Sequence, residues 1–150
     1  PGGFDNWDGA KWALDVAAEL QGAKQSAVYA VREIAKQCRV KVAGDADHYE
    51  TAGWADKARR AERVVGSAGV QADTAALAKE AELRGKGETV LQLAQLQLTK
   101  SERFAFSVGV IDGITRSALD QIETATSIDP VITALKEKGK AELQLLLEIA

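Results

Sequence analysis

From Glu88 to Thr126 the chain contains no proline, and only Gly109 and Gly113 weaken it as a helix former. Leu91, Ala94, Leu98, Ala105, Val108, Ile111 (or Asp112, one step round), Thr115, Ala118 and Ile122 recur at steps of mostly three and four residues, which places them along one side of a helix. At 1.5 Å per residue such a helix is about 55 Å long. That is longer than a compact domain of this mass is wide, so the helix is expected to act as a spine for helices before and after it.

The rest of the 150 residues supports the same fold class. Apolar residues make up 46% of the chain, enough for a core, and only Pro1 and Pro130 interrupt a composition dominated by helix formers. Alternating apolar and polar runs bounded by turn signals, the mark of strands, are nearly absent. The expectation is an all-α bundle of about five helices, two of them long (about 11–42 and 88–126). Residues 1–10 read as a linker and aromatic strap, and 11–150 as a single helical domain. A net charge of −3 gives no electrostatic case for nucleic acid or an anionic membrane. One cysteine, Cys38, precludes an internal disulfide framework, and neither a signal peptide nor an apolar run of ~20 residues is present. These features lead us to expect a soluble chain. With no methionine, and Pro1-Gly2-Gly3 at its start, the sequence reads as a fragment of a longer protein.

Taken in order, Phe4, Trp7 and Trp12 crowd three aromatics into nine residues, either a clip packed on the first helix or an anchor for a partner. The first helix carries Trp12, Val16, Leu20, Ala23, Ala27, Val31, Ile34, Cys38 and Val42 at a spacing near 3.5, a coiled-coil seam rich in alanine. Gly44 reads as a helix stop, and Asp45 or Asp47 as the cap of a short helix from about Tyr49 to Ser67. In that helix Trp54, Ala58, Ala61, Val64 and Val65 are expected inward and Lys57, Arg59, Arg60 and Arg63 outward. Asp73 is expected to cap a helix from Thr74 to about Leu83. Asp129 is expected to cap the last helix, with Pro130 in its first turn. There Ile132, Leu135, Gly139, Leu143, Leu146 and Ile149 form one side, rich enough in leucine to be buried against the chain itself or against another copy.

No catalytic constellation emerges. Arg84-Gly85-Lys86-Gly87-Glu88-Thr89 lacks the spacing of a phosphate loop and follows a helix instead of a strand. Asp45, Asp47, Glu50 and Asp56 depart from a calcium loop at the glycine and at the closing glutamate. His48 is the only histidine, and Cys38 sits on an apolar seam, where a cysteine behaves as a small buried hydrophobe. No enzyme activity, cofactor or metal is expected. Arg59, Arg60 and Arg63 share a turn and read either as a solvated face, with Asp56 pairing Arg60, or as a binding patch for carboxylates or phosphates.

The segment Trp7-Asp8-Gly9-Ala10-Lys11-Trp12, ahead of a long Ala/Glu/Lys/Gln helix, resembles the W-[DN]-G-x-x-W segment of tailed-phage tail-fibre assembly proteins and related tail-fibre C-terminal modules. The blocks from Tyr49 to Ala61 and from Glu80 to Thr89 are also similar to helical C-terminal domains of phage tail proteins. The resemblance implies a non-enzymatic role in fibre assembly or attachment, with a tail fibre or tail component as protein partner, homo-oligomerisation as an option, and a location in the host cytoplasm during assembly or in the virion tail. Partner contact is then expected at Phe4, Trp7 and Trp12. The alternative is a small inhibitory or anti-defence protein that uses the Arg59, Arg60 and Arg63 face against a nucleic-acid-handling enzyme.

Overall fold

The computed structural model describes residues 9–150, with side chains from residue 12 onward. Among these residues there are five helices and no strand: α1 Gly9–Val42, α2 His48–Val65, α3 Gln71–Arg84, α4 Val90–Thr124 and α5 Ile128–Ile149. The all-α expectation and both long helices are found. The described residues fall into two compact units, one of residues up to Arg39 with Val110–Ala150, the other Val40–Gly109.

In the first unit α1, the C-terminal part of α4, and α5 share a core of Ala27, Val31, Ala118, Ile122, Ala125, Val131 and Ala134, edged by Leu20, Val28, Leu119 and Leu135. Lys24 Nζ donates to the Glu123 carbonyl (2.7 Å), and Arg39 pairs with Asp112, so α1 and α4 run antiparallel. The seam expected on α1 is buried at Ala27, Val31 and Cys38, with Ala35 added. Its first turns are not: every residue from Trp12 to Glu19 is exposed, because the core ends at Leu20.

The face of α5 differs from expectation. Val131, Ala134, Lys138, Glu142 and Leu145 are buried, while Ile132, Leu143 and Ile149 are exposed. The predicted stripe is displaced by one residue, about 100° around the helix. A lysine and a glutamate at i and i+4 neutralise one another, and this lets them occupy an inward face.

In the second unit α2, α3 and the start of α4 enclose Ala61, Leu77, Ala81, Leu93 and Ala94, edged by Val64, Val65, Val90 and Leu98. Trp54, half-buried, sets its ring edge-on to Phe104 at 4.8 Å. Asp47 caps α2, its Oδ1 accepting from Glu50 N (2.8 Å). The turn after α2 needs glycine at 69, where a Cβ would lie 2.8 Å from Val64 Cγ2 and 3.2 Å from its Cα. Two expected caps are corrected. The α3 helix starts at Gln71, so Asp73 lies inside its first turn, and α5 starts at Ile128, so Asp129 is its second residue, with Pro130 still in the first turn. Thr89 and Gln92 close a reciprocal box at the start of α4, each side chain accepting from the other's backbone N–H (3.1 and 2.9 Å).

Two leucines on α3 give a direct check on this core. Leu77 is fully buried and Leu83 is 75% exposed. In chemical denaturation Leu77→Ala should cost about 2–5 kcal/mol, and Leu83→Ala less than about 0.5 kcal/mol.

Candidate functional site

Of the residues expected to contact a partner, Phe4 and Trp7 lie outside the described residues. Trp12 stands on the exposed start of α1, 56% accessible. Arg59, Arg60 and Arg63 occupy adjacent turns of α2, but they do not present one common cationic face. Arg59 Nη1 bonds Asp56 Oδ1 at 3.2 Å, an i,i+3 pair in place of the expected Asp56–Arg60 contact. Arg63 grips Asp73 of α3 with two nitrogens, Nε to Oδ2 at 2.9 Å and Nη2 to Oδ1 at 2.7 Å. Arg60 Nε lies 3.8 Å from Oδ1 of the same carboxylate.

Asp73 is buried and is the hub of this cluster. Its Oδ2 also accepts from Val70 N at 3.2 Å, the return half of a capping box; Val70 has no side-chain acceptor for the other half. The fork from Arg63 first, then the Val70 N–H and the charges of Arg63 and Arg60, lowers the Asp73 carboxyl from its ordinary 3.8 to about 2, against the opposing effect of desolvation. The cluster is a clamp between α2 and α3. Local spacing could not reveal it, because the acid lies ten residues beyond Arg63 across a turn.

A second polar centre escaped the sequence reading altogether. Lys138 Nζ, with no exposed side-chain surface, donates to Glu142 Oε1 (2.5 Å) and to Thr115 Oγ1 of α4 (3.0 Å); the Thr115 hydroxyl in turn donates a hydrogen bond to the Ile111 carbonyl (2.7 Å). Glu142 Oε2 is buried with no protein donor. Burial pushes the nearby Cys38 thiol up, Glu142 adds to the rise, and Lys138 and Arg39 oppose it. A buried thiol held protonated in this way is a poor nucleophile. The available signal was the spacing of Lys138 and Glu142 on the side of α5 that carries Val131, Ala134 and Leu145.

Open depressions do not gather chemistry either. One of about 540 Å³ lies over the Gly85–Thr89 turn. There Glu88 holds Arg84 by both carboxylate oxygens (2.7 and 3.1 Å) and raises its pKa. Among the described residues no three of His, Cys, Asp and Glu are grouped as metal ligands, and no helix is long and apolar enough to cross a membrane.

Two measurements test these assignments. Because the Asp73 pKa is lower folded than unfolded, its contribution is present above the unfolded value and disappears as pH falls through about 2. Stability should therefore drop between about pH 4 and pH 2, and Asp73→Asn should be weaker at pH 7 and lack that part of the acid dependence. In the other unit, Lys138→Met should cost about 3–5 kcal/mol by leaving Glu142 buried and unpaired, and Lys138→Met with Glu142→Leu should recover most of it.

No family model, curated protein or solved structure matches the chain, so the functional reading rests on its own residues and geometry.

Proposed function

We propose that this chain is a non-enzymatic helical module that binds another protein, in the manner of a tailed-phage tail-fibre assembly or attachment factor. The observation that carries the reading is the start of α1. Trp12, Leu14 and Val16 are 56%, 71% and 48% exposed, in a segment where every residue to Glu19 is exposed. Around its circumference this segment is apolar except for an acidic edge of Asp15 and Glu19. A helix that is apolar nearly all round is built to be covered. The occupant of matching chemistry is an apolar groove with a basic rim on a tail polypeptide, entered by the helix as a ligand. The Trp7 to Trp12 segment that resembles fibre-assembly proteins includes the first residues of this helix.

The inhibitor reading, which needs Arg59, Arg60 and Arg63 to meet an anionic target, has less support. Asp73 and Asp56 already engage those guanidinium groups. Steep salt dependence belongs to a contact made by unpaired cations.

Co-expression with the tail polypeptides encoded in the same genome tests the proposal. Assembled trimeric fibre should rise with the wild-type chain. Leu14→Glu combined with Val16→Glu should cut that yield at least tenfold while the helical circular dichroism stays unchanged. An unchanged yield with the double variant overturns the proposal.

A further inference from the structure

We infer that the outer face of α5 is a self-association surface, on which two copies of this chain cross antiparallel with Gly139 at the two-fold axis. The first observation is a choice made by the fold. The chain buries the side of α5 that carries Lys138 and Glu142, and leaves outward the side with Ile132 (45% exposed), Leu143 (59%) and Leu147 (66%). A rotation of about 100° would exchange them. A chain that folded only for itself would cover the isoleucine and leucines and leave the charged pair in water. The outward face is thus kept for a contact that the chain alone does not make.

The second observation identifies the occupant. Gly139 lies at the middle of α5, and the chain leaves open space where a Cβ would stand there. Leu135 and Leu143 lie four residues to either side of it, and Ile132 and Leu146 seven to either side. The stripe therefore reads the same in both directions. An antiparallel copy sets exposed Leu143 against the open edge of half-buried Leu135, and exposed Ile132 against half-buried Leu146, with half-buried glycine against glycine at the closest approach. Such self-complementarity is the signature of an isologous contact, and the antiparallel sense also opposes the two helix dipoles. Spacings of four and seven are those of helix–helix seams. The area is sufficient. The exposed parts of Ile128, Ile132, Leu143 and Leu147, with the open edges of Leu135 and Leu146, offer on the order of 400 Å² of apolar surface per copy, a patch size that marks interaction sites. With a polar rim in the usual proportion, two copies bury about 1,200 Å², the lower end of specific interfaces. The start of α1 is no part of this face, so the partner contact proposed above and the dimer stand or fall separately.

Sedimentation velocity of the whole chain over a range of concentration tests the inference. The 16.0 kDa species should give way to a dimer as concentration rises. Leu143→Glu should raise the dissociation constant at least tenfold, and both Leu83→Glu on α3 and Leu14→Glu on α1 should leave it unchanged. Under oxidation Gly139→Cys should yield a covalent dimer, whereas Gln144→Cys, on the opposite side of α5, should not; the native Cys38 is buried and does not compete. A monomer at every concentration would mean that a different protein or the first residues of the same chain cover the face, and would overturn the proposal. A trimer, or a dimer indifferent to Leu143→Glu, would overturn it equally.

Discussion

A seam of alanines buries little apolar surface per residue, and the layout of this chain follows from that constraint. Ala27, Ala118, Ala125 and Ala134 supply four of the seven buried residues in the core of α1, α4 and α5. Each methyl group contributes only about 0.8 kcal/mol on burial. Small side chains permit close backbone approach and good dispersion contact, but the total must come from length. The stretch of α1 from Leu20 to Arg39 and of α4 from Val110 to Thr124 provides it, with Val31, Ile122 and Val131 as the larger wedges between.

Two buried acids, Asp73 and Glu142, are accommodated in opposite ways. Asp73 draws its cations from another helix and its last hydrogen bond from the backbone, so its charge fixes how α2 and α3 meet. A bidentate fork tolerates little change in angle or distance, which gives the contact directional value that apolar packing lacks. Glu142 is neutralised by a lysine of its own helix, and only the Thr115 hydroxyl ties the pair to a neighbour. The first arrangement specifies geometry between helices; the second mainly makes a charged face acceptable inside.

Sequence periodicity was sufficient where apolar spacing and partner coincide. It located the buried segment Ala27, Val31 and Cys38 of α1, and Ala118 and Ile122 of α4. It extended the α1 seam to Trp12 and Val16 because a repeat carries no information about where the opposing helix stops. It placed Leu91 and Ala105 inward on α4, whereas both are exposed, since one straight stripe cannot serve a helix that contributes to two separate cores. On α5 it chose the stripe with more leucine and rejected the one that held Lys138 and Glu142, because hydropathy scores each ion alone and not the pair. Arg60 and Arg63 of α2 read as part of a face for the same kind of reason: their counter-ion Asp73 is distant in sequence. Helix starts at Gln71 and Ile128 were missed because no side chain caps them from outside; the N-terminal flanking residues Val70 and Ser127 make no side-chain cap bond.

The intrahelical placement of Lys138 and Glu142 also bears on the order of events in folding. Four residues apart, they meet as soon as that turn of α5 is helical, before the helix touches α1 or α4. What then loses its water is a compact dipole and not two separate ions, and the dehydration penalty that defeats most buried charges is correspondingly reduced. The Thr115 hydroxyl becomes available only when α5 settles against α4 in the correct longitudinal position. A slip of α5 by one turn along α4 would keep the Lys138–Glu142 pair but take the ammonium away from the Thr115 hydroxyl. The pair therefore acts as a detent: it tolerates the approach of the helix in any position and holds it in only one.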